Sequence, residues 1–208
     1  MTHSTPRQMI DWERASWQEG CATVEHFTDK LGTPIDPGIF ETVVVLNLLG
    51  FRTFQSCEGH LDHGCAYPWV TVIDAAVSGR YYQEITSLSK LEEEAQQSGT
   101  EDAFFRYLSA DTALRLHISR WKEEDLLFRR VREMLDTFYA RDGETMRLSA
   151  TRLHGVLQSP GITRIEPGSA LHAKNLPEGL KAAYLARGQA EMQAFTCYLK
   201  RRWQARFH

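Results

Sequence analysis

The run from Asp36 to Asp74 constrains the fold most, because the hydrophobic period changes inside it. Asp36-Pro37 opens a helix: a carboxylate at the N-cap can accept from orphan N–H groups, and proline suits the first helical position. The helix reads IFETVVVLNLL, apolar on most sides, and Gly50 stops it, so it is expected to be buried. Beyond it Thr53, Gln55 and Cys57 share one face and Phe54 and Ser56 the other, which is the period of a strand over 53–57. Trp69 to Asp74 makes a second strand with Val70, Val72 and Asp74 on one face. The connection between the two is longer than a tight hairpin needs, and long loops inside compact domains are often functional.

The flanking chain adds mostly helices. Ile10, Trp17, Cys21, Val24 and Leu31 recur at helical spacing and predict one amphipathic helix over 7–31 after Thr5-Pro6. A helix after Ser78 is carried by Tyr81, Ile85, Leu88 and Ala95 and ends near Gly99, and a short helix is expected at 101–109. In LRLHIS, residues 114–119, Leu114, Leu116 and Ile118 alternate with Arg115 and His117, predicting a strand with one polar face. Leu127, Val131, Leu135 and Phe138 carry a helix over 122–141, closed by Gly143. Two strand-like runs in 146–166 are joined around Ser159-Pro160-Gly161, a turn signal. From Pro177 to about residue 206 a last helix aligns Leu185, Met192, Phe195, Leu199 and Trp203. This order predicts a single α+β domain over 1–208, a mainly antiparallel sheet covered by several amphipathic helices, with helices 7–49 and 177–206 packing on the sheet. Strictly alternating βα units and a glycine-rich phosphate fingerprint are both missing, which argues against a doubly wound nucleotide fold.

Composition narrows the function classes. At 208 residues the chain can bury a core without staples. Its net charge of −3 offers no global attraction to nucleic acid. The sequence carries neither a signal peptide nor the roughly 18-residue apolar run of a membrane span, so a cytoplasmic protein without membrane contacts is expected. The four cysteines, 21, 57, 65 and 197, are too few and scattered for a secreted disulfide framework.

Against that sparse background, QSCEGHLDHGC places Cys57, His60, His63 and Cys65 close together, with Glu58 and Asp62 between them. Thiolate and imidazole are zinc ligands, and a carboxylate can add oxygen. Structural zinc sites usually join two short motifs from separate chain segments, so a centre built from Cys57 and His60, with His63 and Cys65 as secondary ligands and others such as His117, His154 or His172 brought in by the fold, fits better than a self-contained four-ligand loop. An open position on such an ion would suit water activation, with Glu58 as general acid or base. A second reading needs no metal: the chain turns at Gly59 beside Ser56, Glu58 and His60, and such a turn can present N–H groups to a ligand, with Trp69 as a pocket wall. A third makes Cys57 a nucleophile activated by His60. The bland reading is a structural loop, since cysteine is commonly buried and Asp-His-Gly is ordinary turn material.

LNLLGFRTFQSCEGHLDHGCAYPWVTV resembles a group of uncharacterised bacterial and phage proteins that share a Thr-x-x-Ser-Cys-x-Gly-His strand and loop after a helix ending in Leu-Asn and Gly. More distantly, the segment is similar to the Ser-Cys-Ser-Gly-Arg loop of the tRNA wybutosine-synthesising N-methyltransferase family. Ser56, Cys57 and Gly59 match, while Glu58 stands for a serine and His60 for an arginine. That resemblance implies a ligand loop at the strand end and, as one alternative, S-adenosylmethionine-dependent tRNA modification. A noncatalytic interaction protein is the other alternative to a metal-assisted enzyme of small or nucleotide-like substrates.

The remaining patches have plainer readings. Lys200, Arg201, Arg202 and Arg206 end a helix whose dipole favours cations, so nucleic acid is not the expected partner. Arg115 and Arg152 are low-ranking anion clamps, and the sequence leaves oligomeric state open.

Overall fold

The computed structural model describes residues 10–29, 31–123, 125–140, 146–152, 161–173 and 175–207. It shows an α+β fold: a four-stranded antiparallel sheet in the order β1-β2-β4-β3 together with several helices. The strands are β1 (Thr53–Cys57), β2 (Trp69–Ile73), β3 (Leu148–Arg152) and β4 (Ile162–Pro167). The helices are α1 (Trp17–Val24), α2 (Pro37–Leu48), α3 (Ala75–Ser98), α4 (Glu101–Glu123), α5 (Leu126–Tyr139), α6 (Ala170–Ala173) and α7 (Glu178–Gln204). No helix among the described residues is long and apolar enough to cross a membrane. The described residues fall into two compact units, one drawn from 1–70, 143–148 and 166–208, the other from 71–142 and 149–165.

In the first unit α2 is the hub. Ile39, Val43, Val44, Val45, Leu46 and Leu48 are each at most 1 % exposed, so the helix is covered on nearly every side as its composition requires. It packs against α1 and α7, and α7 contributes Met192, Phe195 and Leu199 to the same core. Each such side chain withdrawn from water stabilises the fold by about 1.5 to 3 kcal/mol. Buried Thr42 and Thr196 satisfy each other, their hydroxyls 2.6 Å apart. At its C-terminus the Gly50 N–H donates to Asn47 O and the Phe51 N–H to Leu46 O, the paired bonds of a Schellman cap, with Gly50 at φ +80°. Asn47 then joins helix to strand: its amide nitrogen donates to Thr53 Oγ1 at 2.7 Å and its amide oxygen accepts from the Thr53 N–H.

The first helix is much shorter than the 7–31 span its apolar spacing predicts. Ser16 and Glu19 form a capping box that starts α1 at Trp17, and the chain beyond Val24 leaves the helix for a bridge between Thr28 and Pro34. Asp29 fixes that turn by accepting from the Leu31 and Thr33 N–H groups, and Leu31, the last member of the predicted stripe, is 91 % exposed. Local polar caps override the apolar period here.

In the second unit α3 and α4 make a helical hairpin closed by Gly99 at φ +61°. Asp74 ends the strand rather than continuing it: its carboxylate accepts from the Ala76 and Val77 N–H groups and caps α3, which therefore begins before Ser78. Residues 114–119 are not a strand. They lie inside α4, where Ala103 and Leu114 are buried while Leu116 is 66 % exposed, so the apparent alternation was one buried leucine followed by an exposed one. The α5 stripe of Leu127, Val131, Met134 and Leu135 is buried, and Asp125 caps its N-terminus through the Phe128 N–H. Gly161, at φ +76°, accepts from the Asp74 N–H, and a Cβ there would meet Val77 at 2.9 Å. Gly143, Ser159 and Pro160 lie outside the described residues.

Candidate metal centre

The loop after β1 is tied to the start of α2 by two reciprocal hydrogen bonds. Asp36 occupies the N-cap position, yet it makes no side-chain bond to its own helix, contrary to the expectation from Asp-Pro. Its Oδ2 accepts instead from the Glu58 N–H at 3.1 Å and lies 3.4 Å from His60 Nε2. In return Glu58 supplies the missing cap, Oε2 accepting from the Gly38 N–H at 2.6 Å. A carboxylate at the positive end of a helix is favourable, and here it comes from another chain segment. A Cβ at position 38 would lie 2.6 Å from that oxygen, so any larger residue there would make the end of the Glu58 side chain shift.

Gly59 gives the loop its turn at φ +87°. The backbone conformation suits glycine alone, and a Cβ would strike the Tyr67 carbonyl carbon at 2.7 Å and Leu185 of α7 at 2.6 Å. Its N–H donates to Cys57 Sγ at 3.3 Å. From α7, Gln189 Nε2 donates to the Glu58 carbonyl at 3.1 Å, and the His60 N–H donates to Cys65 O at 2.9 Å to close the loop.

The result is a cluster made from two stretches of sequence. One ligand atom each from Asp36, Cys57 and His60 lie within 4.8 Å of one another, all three residues half-buried. No family model matches this chain, and neither does any curated protein or solved structure.

The donors are sulfur, nitrogen and oxygen, a set that suits a divalent cation such as zinc. Burial pushes the Cys57 thiol above its ordinary range, and the charges of Asp36, Cys65 and Glu58 push it further, while the Gly59 N–H pulls the other way. That direction is opposite to what an activated nucleophile needs. A cation beside the sulfur would reverse it, because the ion's own charge dominates such a site.

The other sequence candidates take different positions. His63 stacks on His60, ring centroids 4.1 Å apart, and bonds Asp62 through Nδ1 at 2.8 Å, so His60, Asp62 and His63 form a second, more exposed ligand group. That hydrogen bond, after Asp62's own backbone, holds the Asp62 carboxyl below its usual range. Cys65 joins neither group. It packs with Trp69, Leu176 and Tyr184 against the buried Tyr67, Ala170 and Ala173, a small satellite core. Ser56 is half-buried in β1. His117 belongs to the helical hairpin and bonds Glu84 at 3.2 Å, while His172 is exposed on α6. His154 lies outside the described residues.

Arg115 and Arg152 are engaged by Asp111 and Asp125, and Arg152 also sits 3.9 Å over the Phe128 ring. The cations at and just beyond the end of α7 serve the fold as well. Lys200 reaches Glu41 at 3.0 Å and lies over Trp17, and Arg206 donates to the terminal carbonyls of α2 at Leu48 and Leu49. The residues that sequence reasoning overlooked are Asp36 and Gln189. Asp36 was visible as a helix start, but nothing local shows that its carboxylate turns toward a loop more than twenty positions away.

Proposed function

We propose that Asp36, Cys57 and His60 hold one divalent cation, zinc by preference, and that the protein is a metal-assisted enzyme acting on a small or nucleotide-like substrate. The approach of three different ligand types within 4.8 Å carries the reading. Three protein ligands leave a coordination position open, the arrangement of catalytic rather than structural zinc. A cation bound there would polarise a substrate oxygen or activate a water. The chain's own groups do the positioning. Glu58 anchors the loop to α2 through the Gly38 N–H, and Gln189 holds the same residue's carbonyl. His63, hydrogen-bonded to Asp62 and stacked on the proposed ligand His60, is an exposed imidazole suited to carry a proton.

Metal analysis of protein purified without added ions tests the reading, with Co²⁺ titration as a second readout because a thiolate ligand gives an absorption band. The expected result is about one ion per chain, lost in Asp36→Asn, Cys57→Ser and His60→Ala while helicity is retained, and kept in Cys65→Ser. A wild-type chain that carries no metal and takes up neither Zn²⁺ nor Co²⁺ overturns it.

A further inference from the structure

The second unit carries an apolar face that its own packing leaves bare. On α4 the buried positions are Ala103 and Leu114, 3 and 5 % exposed, yet Phe104, Phe105, Leu108 and Leu116 are 51, 55, 39 and 66 % exposed. At about 100° of rotation per residue Phe105, Leu108 and Leu116 lie on the side of the helix away from Ala103 and Leu114, and Phe104 lies on its flank. Phe104, Leu108, Thr112 and Leu116 follow one another at intervals of four, a single ridge of the kind that packs against a like ridge on another helix. Several large apolar side chains exposed along one row of an amphipathic helix point to an interaction site.

The charges around the ridge say what fits it. Glu101 and Asp102 stand at the N-terminal end of α4, Arg115 and Arg120 toward the C-terminal end. Turned end for end about a two-fold axis near Ala110, the helix is complementary to itself. Leu116 then lies against Phe105 of the second copy, the Arg115 guanidinium against the Phe104 ring, and Asp102 against Arg120. Every contact occurs twice, and the opposed helix dipoles add to the match. The exposed pair of Asp102 with Arg106 at 3.5 Å is weak enough in solvent to be shared with such a partner, and the Arg115 guanidinium stays exposed beside half-buried Asp111 at 2.7 Å.

We infer that the outer face of α4 is a homodimer interface, joining two copies of this chain antiparallel through Phe104, Phe105, Leu108 and Leu116. The test is sedimentation equilibrium of the full chain across a concentration series, at low and high salt. The wild type should dimerise, and Leu116→Glu should leave a folded single chain with unchanged helicity. Asp102→Arg and Arg120→Asp should each weaken dimerisation by about tenfold or more, since each reversal places two like-charge pairs in the interface. The double variant Asp102→Arg/Arg120→Asp should restore it. A wild type that stays single throughout the series overturns the inference, whatever else covers the ridge. So does a dimer that is indifferent to Leu116→Glu, or charge reversals that the double variant fails to rescue.

Discussion

The two compact units handle polar groups in opposite ways. In the first, Asp36, Glu58 and Gln189 make bonds that span 20 to 131 positions of chain, and each satisfies a backbone group of a distant segment. In the α3–α4 hairpin the charged pairs are mostly neighbours on one helix, such as Asp102 with Arg106 and Asp111 with Arg115. Bonds of the first kind hold a loop in one conformation and bring ligand atoms together, whereas i,i+4 pairs support a helix without specifying anything beyond it. The hairpin's surface is accordingly free to carry large apolar side chains, while the loop has no room even for a methyl group at Gly59.

Gly59→Ala should break the comparison most severely. It combines a left-handed backbone with contacts under 3 Å, and a loss of about 3 kcal/mol or more is expected in urea unfolding. A loss below about 0.5 kcal/mol would mean that the loop relaxes freely and is not held as described. In the hairpin, Leu114→Ala should cost about 2 to 3 kcal/mol, while Leu116→Ala should cost less than about 0.5 kcal/mol in dilute protein. Equal effects at the two positions would restore the strand reading of 114–119. Between the two leucines falls Glu58→Ala, which removes a cap and should cost about 1 kcal/mol. Glu58→Gln should recover most of that stability because the amide oxygen still accepts from the Gly38 N–H. If Glu58→Gln instead lost bound metal at full stability, Glu58 would be a ligand rather than a cap.

Much of this was readable from local pattern. The burial of α2, the Gly50 stop, the strand over Thr53–Cys57, the α5 stripe and the last helix all follow from periods and caps that operate within a few residues. The failures share a cause, which is a local signal consistent with two structures. Alternation over 114–119 is equally a helix with one buried and one exposed leucine, and the Ile10 to Leu31 spacing says nothing of the capping box at Ser16. The density of QSCEGHLDHGC drew attention to this loop and ranked Cys57 and His60 ahead of His63 and Cys65, but the only carboxylates it offered were its own, Glu58 and Asp62. Cys65 faces a satellite core, and the carboxylate beside Cys57 and His60 comes from Asp36.

The amino-acid sequence by itself determined most of the helices and strands, that the α2 helix is buried, and that the strand after it ends in a glycine turn bearing a thiol and an imidazole. Only the tertiary structure decided that Glu58 caps α2 while Asp36, at the N-cap position, bonds the Glu58 N–H instead. Period and propensity act over one or two turns, whereas a carboxylate between two chain segments bonds whichever backbone donor packing brings within about 3 Å.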